Sequence, residues 1–223
     1  TCSTIVALVF AGVGLIVGGS GLLLSCNQAL QSARPRDDFK DELLKAERGD
    51  IQAQYNVGFC YSVGRHTRQD YAEGVKWYRK AADNNFAPAQ YNLAFCYRHG
   101  QGVAKNEVEA LKWYRKAADL NYAQAQHMVG ICYDIGQGVA KNEAEALQWI
   151  RKAAEQNLIS AQINLAWNYE KGHGVAKDYA EAVKWWRKAA EQGDSMARHK
   201  VGICYELGQG VAQDYVVAYA WFD

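Results

Sequence analysis

The sequence predicts an all-α protein: a solenoid of helix–turn–helix repeats preceded by a single transmembrane helix. One residue pattern recurs every 36 residues from about residue 51 to the end of the chain, and a fixed period of about 20–50 residues is the mark of a solenoid. Each copy contains two stretches with apolar residues at helical spacing. A long uncharged segment precedes the copies.

Residues 1–26 are interpreted as the transmembrane helix. Ile5 to Leu24 is a run of 20 residues without a charge, and such a helix is about 30 Å long, the thickness of a hydrocarbon core. A signal peptide is the alternative, because Leu23-Leu24-Ser25-Cys26 loosely resembles a bacterial lipoprotein cleavage site. A signal peptide normally has a shorter apolar region of about 7–15 residues, so the retained helix is favoured.

Small residues form a stripe along one face of this predicted helix. They are Ala7, Ala11, Gly14, Gly18 and Gly21. Within lipid, close packing at small residues is a main source of affinity between helices, so the stripe predicts a packing surface for another membrane helix. The alternative is that glycine is simply common in membrane helices, and Gly12 and Gly19 lie off the stripe.

Residues 27–37 are a polar linker, and the charges around it bear on membrane orientation. Arg34, Arg36 and Lys40 follow the apolar segment and no basic residue precedes it. This asymmetry slightly favours a cytoplasmic over a periplasmic repeat domain. Because the chain starts at Thr1 and stops at Asp223 inside a repeat, we interpret it as a piece of a longer polypeptide.

Residues 38–50 are predicted to cap the repeat array as a lone second helix. Phe39 lies 36 residues before Val75, and Ala46 lies 36 residues before Ala82. Gly49 would end this helix, since glycine favours the position just after a helix. The remaining chain, 51–223, is divided into about five repeats, the last incomplete.

The second copy shows how one repeat is built. Apolar side chains between Ala89 and Tyr97 lie on one helical face, and Gly100 ends that helix. Asn106 and Glu109 then form a predicted capping box, in which the Asn side chain accepts a backbone N–H and the Glu reaches back. The second helix carries Trp113, whose equivalents recur in every copy and predict a core between stacked helices.

Cysteine and the small residues fit the same interpretation. Cys60, Cys96, Cys132 and Cys204 occupy one repeat position, without a partner in their own repeat. They are predicted to be buried thiols rather than a disulfide ladder. Small residues that let the two helices of a repeat approach closely are Gly58, Ala94, Gly130, Ala166 and Gly202.

These motifs resemble the SEL-one-like repeats, 36-residue relatives of the tetratricopeptide repeat. The strings GQGVAKNEVEALKWYRKAAD and GHGVAKDYAEAVKWWRKAAEQGD carry the resemblance, which covers about residues 51–223. It implies a right-handed α-solenoid that mediates protein–protein interaction or complex assembly, and it implies no chemistry. The first copy departs from the pattern, with Gly64-Arg65-His66-Thr67-Arg68 in place of Gly-x-Gly-Val.

Composition and motifs speak against several other functions. A formal net charge of +1 does not call for nucleic acid, and the basic residues of the second helices are interpreted as solvated faces. The histidines have no metal-ligand spacing, and no nucleophile, phosphate-loop or zinc-protease motif occurs. We therefore expect no catalytic residue, no cofactor, no metal and no enzyme activity.

The expected function is a membrane-anchored scaffold that binds other membrane-protein subunits through the apolar helix and the solenoid surface. The alternative is an envelope lipoprotein adaptor, or a regulator of an envelope enzyme. A candidate peptide-binding ladder consists of Asn56, Asn92, Asn164 and Lys200, with Met128 at the same position of the third copy. The competing interpretation is that these side chains hold neighbouring repeats together.

Overall fold

The computed structural model describes residues 38–222, and these residues form eleven helices and no strand. The helices are α1 (38–47), α2 (Ile51–Val63), α3 (Tyr71–Asp83), α4 (Ala87–His99), α5 (Glu107–Asp119), α6 (Ala123–Ile135), α7 (Glu143–Glu155), α8 (Ile159–Lys171), α9 (Tyr179–Glu191), α10 (Ser195–Leu207) and α11 (Tyr215–Phe222). The chain divides into two compact units, Thr1–Asp41 and Glu42–Asp223, with the boundary inside α1. Of the first unit, only residues 38–41 are described.

The second unit is an α-solenoid of helical hairpins. Its largest inter-helix contacts all join helices that are consecutive in the chain, so each hairpin contacts only its neighbours. The five hairpins, α2–α3 through α10–α11, are repeats 1 to 5. The predicted all-α solenoid is therefore confirmed, whereas the predicted transmembrane helix falls on residues 1–26, outside the described residues.

The two helices of a hairpin come into close contact where the first helix carries glycine instead of a residue with a larger side chain. A Cβ atom on Gly58 of α2 would lie 2.8 Å from the Tyr78 ring of α3, and one on Gly130 would lie 2.6 Å from Ile150. Both distances are shorter than a van der Waals contact. Aromatic and alanine side chains of the second helices fill the rest of the core; Trp113 is 4% exposed and Tyr114 is fully buried.

The second helices begin at capped residues, but the predicted capping box is only half present. Asn106 Oδ1 accepts the Glu109 backbone N–H at 3.0 Å, as expected. The Asn106 N–H, however, donates to the Tyr97 carbonyl at 2.9 Å. Because that donor is already satisfied, the Glu109 carboxylate does not reach back and instead pairs with Lys112 at 3.4 Å.

Buried glutamines join each repeat to the one before it. The amide nitrogen of each donates to a carbonyl near the end of the preceding second helix. That carbonyl also accepts the backbone N–H three residues further on, as Ala82 does from Asn85 at 3.0 Å. The pairs are Gln54 with Ala46, Gln90 with Ala82, Gln126 with Ala118 and Gln162 with Ala154, at 3.0–3.3 Å. Gln54 makes this bond to α1, so α1 supplies a carbonyl to repeat 1 as a second helix does to each later repeat.

Arginine and tyrosine form a second connection between repeats. The Arg79 guanidinium donates to the Tyr97 hydroxyl of the next repeat, and Arg115 donates likewise to Tyr133. In repeat 4, Arg187 lies 5.3 Å from the Tyr205 ring centroid. Arg79 and Arg115 are exposed, in agreement with the interpretation as solvated faces, and they also reach an aromatic side chain 18 residues further along the chain, which was not predicted.

Loop glycines bring backbone against backbone. Gly102, with φ +70°, lies so close to the first residue of α3 that a Cβ atom would overlap the Tyr71 carbonyl oxygen. Gly138, Gly174 and Gly210 lie equally close to the second helix of their preceding repeats. Each loop thus rests on the start of a helix in the repeat before it.

Gly100 and Gly102 provide a matched pair of substitutions. Both have φ +70°, but the nearest atom to a Cβ on Gly100 would be 3.4 Å away. Gly100→Ala should lower the free energy of unfolding by about 1–2 kcal/mol, the cost of left-handed backbone. Gly102→Ala should cost about 1–3 kcal/mol more, because the new methyl group also displaces the preceding repeat. Equal losses in urea unfolding would contradict the proposed backbone contact.

Candidate functional site

The predicted ladder residues lie on the first helices of their repeats and contact the preceding helix or repeat. Asn56 Nδ2 donates to Glu42 Oε1 of α1 at 2.6 Å, and the Asn92 side chain lies near the Tyr78 hydroxyl of repeat 1, whose pKa it helps to lower. These contacts favour the interpretation that the side chains hold repeats together. Peptide binding by the ladder stays a prediction.

The other two ladder positions make different contacts. Asn164 Nδ2 lies 2.9 Å from His127 Nε2 of repeat 3. Lys200 Nζ lies 3.4 Å from Glu170 Oε1 and 3.9 Å from the Trp167 ring centroid, both in repeat 4. Lys200 is therefore held by an ion pair and a cation–π contact rather than by an amide network.

The membrane-packing residues predicted from the sequence, Ala7, Ala11, Gly14, Gly18 and Gly21, lie outside the described residues. Within 38–222, no helix has the length and apolar character needed to cross a bilayer.

A cavity of about 250 Å³ lies between the first two repeats. It is lined by Phe59, Ser62 and Val63 of α2, Tyr71 and Tyr78 of α3, Asn92, Phe95 and Cys96 of α4, and Gln101 of the following loop. Phe59 and Phe95 occupy the same position in consecutive repeats and are 41% and 40% exposed. The cavity therefore has two aromatic side chains open to solvent.

The polar groups of this cavity are neutral. Burial raises the pKa of the Tyr78 hydroxyl to about 12 and that of the Cys96 thiol to about 11. Ser62 Oγ donates to the Gly58 carbonyl at 2.9 Å, which occupies its proton. At neutral pH the cavity offers neither a thiolate nor an activated hydroxyl, so its chemistry is that of a binding site.

Apolar side chains are exposed elsewhere on the first helices as well. Val63, Ile135 and Leu207 occupy one position in repeats 1, 3 and 5 and are 50%, 53% and 57% exposed. We call Phe59, Phe95 and these three residues the first-helix apolar surface. Cys96, Cys132 and Cys204 are buried free thiols, as predicted, and Cys60 is a half-buried one.

The charge of the first helices changes along the array. One position reads Ser62, Arg98, Asp134, Glu170 and Glu206 in repeats 1 to 5. Helix α2 has no charged residue and α4 has no acidic one. The region around the cavity thus differs in charge from the later repeats, whose first helices carry carboxylates.

Ser160, His127 and Asn164 form a cluster that resembles a catalytic arrangement only in composition. Ser160 Oγ lies 3.3 Å from His127 Nδ1, and Asn164 Nδ2 lies 2.9 Å from Nε2. If the amide donates to Nε2, Nδ1 carries the proton and donates to the serine, so the imidazole does not act as its base. Among residues 38–222, moreover, no group of three or more side chains suited to a metal ion occurs.

The stacked hairpins define an α-helical repeat protein, and comparison with known proteins gives its family. The chain belongs to the Sel1 repeat family, whose model matches residues 51–86, 87–122, 123–158, 159–194 and 195–223. Proteins of this family serve as protein–protein interaction scaffolds and bind protein partners, and their fold is typically non-catalytic.

Solved structures of similar proteins come from several bacteria. A protective antigen of uropathogenic Escherichia coli that displays an SLR fold is 37% identical, with a TM-score of 0.79, over 82% of this chain and 39% of the antigen. A Sel1 repeat protein from Oxalobacter formigenes is 36% identical, with a TM-score of 0.75, over 86% of this chain and 82% of that protein.

A more distant structure shares the fold alone. An immunity protein from Pseudomonas aeruginosa is 22% identical, with a TM-score of 0.56, over 94% of this chain and 83% of that protein. A search of curated proteins found no match.

Sequence reasoning missed the cavity and its aromatic walls. The signal was present: Phe59 and Phe95 occupy a first-helix position two residues beyond the buried Val57 and Leu93. The loop of repeat 1 also departs from the pattern directly after Val63. Neither signal reveals that space remains between the two helices, because that depends on how far apart they pack.

Substitution of Asn92 distinguishes the two interpretations of the ladder. Asn92→Ala removes a polar side chain beside the buried Tyr78 hydroxyl, so the internal-contact interpretation expects the free energy of unfolding to fall by about 1–3 kcal/mol. Urea unfolding followed by circular dichroism measures this loss. Unchanged stability with weakened partner capture would instead support a ligand-binding ladder.

His127 predicts a pH dependence of stability. Burial lowers its pKa in the folded protein from 6.5 to about 4, so the unfolded chain binds more protons between those values. The free energy of unfolding should therefore fall as pH decreases from 6.5 to 4, by at most about 1.4 kcal/mol per pH unit. His127→Gln should flatten this dependence, and His199→Gln, at the equivalent exposed position of repeat 5, should not. Identical profiles for wild type and His127→Gln would refute the assignment.

Proposed function

We propose that the protein is a membrane-anchored scaffold, acting as a subunit or assembly factor of a larger membrane protein complex. The observation that carries the proposal is the first-helix apolar surface, which leaves five large apolar side chains at least 40% exposed. Phe59, Val63 and Phe95 of repeats 1 and 2 line one cavity, and a contiguous exposed apolar surface is typical of an interaction site. The family's role as an interaction scaffold supports the same conclusion.

The membrane anchor is proposed from the sequence. The uncharged run from Ile5 to Leu24 is long enough to span a bilayer. Arg34 and Arg36 follow it, which favours a cytoplasmic repeat domain. In this arrangement the small-residue face around Gly14 and Gly18 binds a partner's membrane helix, while the first-helix apolar surface binds that partner's soluble part.

The second candidate is an envelope lipoprotein adaptor or a regulator of an envelope enzyme. Leu23-Leu24-Ser25-Cys26 favours it, because lipidation would make Cys26 the new N-terminus. Intact mass separates the candidates: an unprocessed segment 1–25 supports the anchor, and a lipidated Cys26 supports the lipoprotein.

Site-specific crosslinking tests the scaffold function. A photoreactive phenylalanine analogue placed at Phe59 or Phe95 should crosslink a partner chain in the native membrane. The same analogue at Lys76, on the exposed side of α3, is the control and should crosslink far less. Equal yields at the three positions would show that the first-helix surface is not the interface.

The proposed helix packing has its own test. Gly14→Ile combined with Gly18→Ile should release the protein from its complex while leaving it inserted, because the bulky side chains prevent close approach. Detergent extraction and co-purification measure the release, and Gly12→Ile with Gly19→Ile, off the stripe, is the matched control. Co-purification at native stoichiometry would show that this face is not used.

A further inference from the structure

We propose that the cavity between repeats 1 and 2 binds one aromatic side chain of an extended, acidic peptide segment in a partner protein. This inference rests on the proposed scaffold function and assigns the partner's chemistry at one site. It combines the size of the cavity, the state of its polar groups and the charge of the adjacent loop.

The size of the cavity favours a side chain over a small-molecule ligand. Its volume of about 250 Å³ is below the range of about 300–1,000 Å³ that is typical of ligand pockets. It is nevertheless many times the volume of a water molecule, about 30 Å³. Phe59 and Phe95 stand at equivalent positions of neighbouring first helices, line the cavity and are partly exposed, so they supply aromatic surface to an entering ring. The Phe95 ring also contacts His99, with ring centroids 4.2 Å apart.

The lining favours an apolar occupant. Asn92 and Ser62 both lie near the Tyr78 hydroxyl, and Ser62 donates to the Gly58 carbonyl. These polar groups lie beside one another, so a ligand gains little by offering them further hydrogen bonds. The Cys96 thiol stays protonated and contributes a weakly polar surface.

The loop of repeat 1 adds positive charge beside the cavity. Gln69 donates from its side chain to the Ser62 carbonyl at 2.8 Å and to the Tyr71 hydroxyl at 2.9 Å. Ser62 and Tyr71 both line the cavity, so this hydrogen bonding holds the loop against it. Arg68 directly precedes Gln69, and Arg65 follows the lining residue Val63 by two positions.

Repeat 5 shows that the loop geometry does not require arginine. There Gln213 donates to the Glu206 carbonyl at 2.8 Å and to the Tyr215 hydroxyl at 2.9 Å, the same arrangement. Its loop, however, reads Gly208-Gln-Gly-Val-Ala and contains no basic residue. In repeat 1, Arg65 and Arg68 are exposed; Arg65 Nε donates to His66 Nε2 at 3.2 Å, and this bond leaves the terminal guanidinium nitrogens for a ligand.

Few negative charges compete with a ligand for these arginines. Helix α2 has no charged residue and α4 has no acidic one. Glu42, which approaches from α1, is engaged by Asn56 at 2.6 Å and by Lys45 at 3.7 Å. Asp70 caps α3 by accepting the Glu73 N–H. The resulting field favours a segment with Asp or Glu beside its aromatic residue.

Selection from a random twelve-residue peptide library, followed by affinity measurement, tests the proposal. The bait is the full 223-residue chain in a mild detergent. Enriched peptides should contain an aromatic residue flanked by Asp or Glu. The best peptide should lose affinity at least about tenfold on Phe59→Ala with Phe95→Ala, and less on Ile131→Ala with Ile203→Ala, the same positions in repeats 3 and 5. All four side chains are solvent-accessible, and thermal unfolding verifies the fold of each variant.

The charge contribution is tested separately. Arg65→Gln with Arg68→Gln should weaken the best peptide at least about tenfold at low salt and much less at high salt. Lys141→Gln with Lys177→Gln removes two charges from the loops of repeats 3 and 4 and should have little effect. No enrichment, enrichment of basic or non-aromatic peptides, or equal affinity for both pairs of variants would overturn the proposal. If one of these outcomes is found but Phe59 still crosslinks a partner chain, the scaffold function is supported and only the acidic-aromatic ligand is refuted.

Discussion

The stacking of this protein depends on a backbone contact between each loop and the preceding repeat. Gly102 lies against the Tyr71 carbonyl at the start of α3, and Gly138 lies against Glu107 at the start of α5. A contact between two backbones leaves less freedom than one between side chains, because neither partner can change rotamer. It sets the offset between hairpins, and the side-chain contacts between repeats form at the separation it imposes.

Two polar connections then complete each junction. The buried amide of Gln90 occupies the Ala82 carbonyl at the end of α3, and Arg79 reaches the Tyr97 hydroxyl. Each hydrogen bond contributes about 1 kcal/mol net. The Ala82 carbonyl also accepts the Asn85 N–H, so the bond from Gln90 mainly satisfies the buried amide nitrogen of the glutamine, which would be costly to bury without a partner. The buried aromatic and alanine side chains supply most of the stability. The bond from Gln54 to Ala46 extends the same junction to α1.

Most of the fold follows from the sequence because it depends on local and periodic signals. The helix ends lie at the predicted Gly100 and Asn106, whose preferences are set by their own backbone and side chain. The prediction that the Glu109 carboxylate reaches back to the Asn106 N–H was wrong, because that N–H donates to the Tyr97 carbonyl, nine residues earlier in the chain. The contact of the exposed Arg79 with Tyr97 was not predicted, because Tyr97 lies in another repeat. In both cases the partner lies outside the local sequence pattern.

The cavity between repeats 1 and 2 does not follow from the repeat pattern, and it is the site to which we assign a particular ligand. The buried glutamines Gln54, Gln90, Gln126 and Gln162 recur at one position of repeats 1 to 4, where each joins its repeat to the preceding helix, and Arg198 stands there in repeat 5. At another first-helix position, Ser62 and Arg98 are replaced by carboxylates in later repeats. In the loop of repeat 1, His66 stands where the later loops have their second glycine and has φ 64°, a conformation that costs a non-glycine residue about 1–2 kcal/mol. Arg65 and Arg68 lie in the same loop, and the ligand that we propose for the Phe59–Phe95 cavity gives these two charges a function.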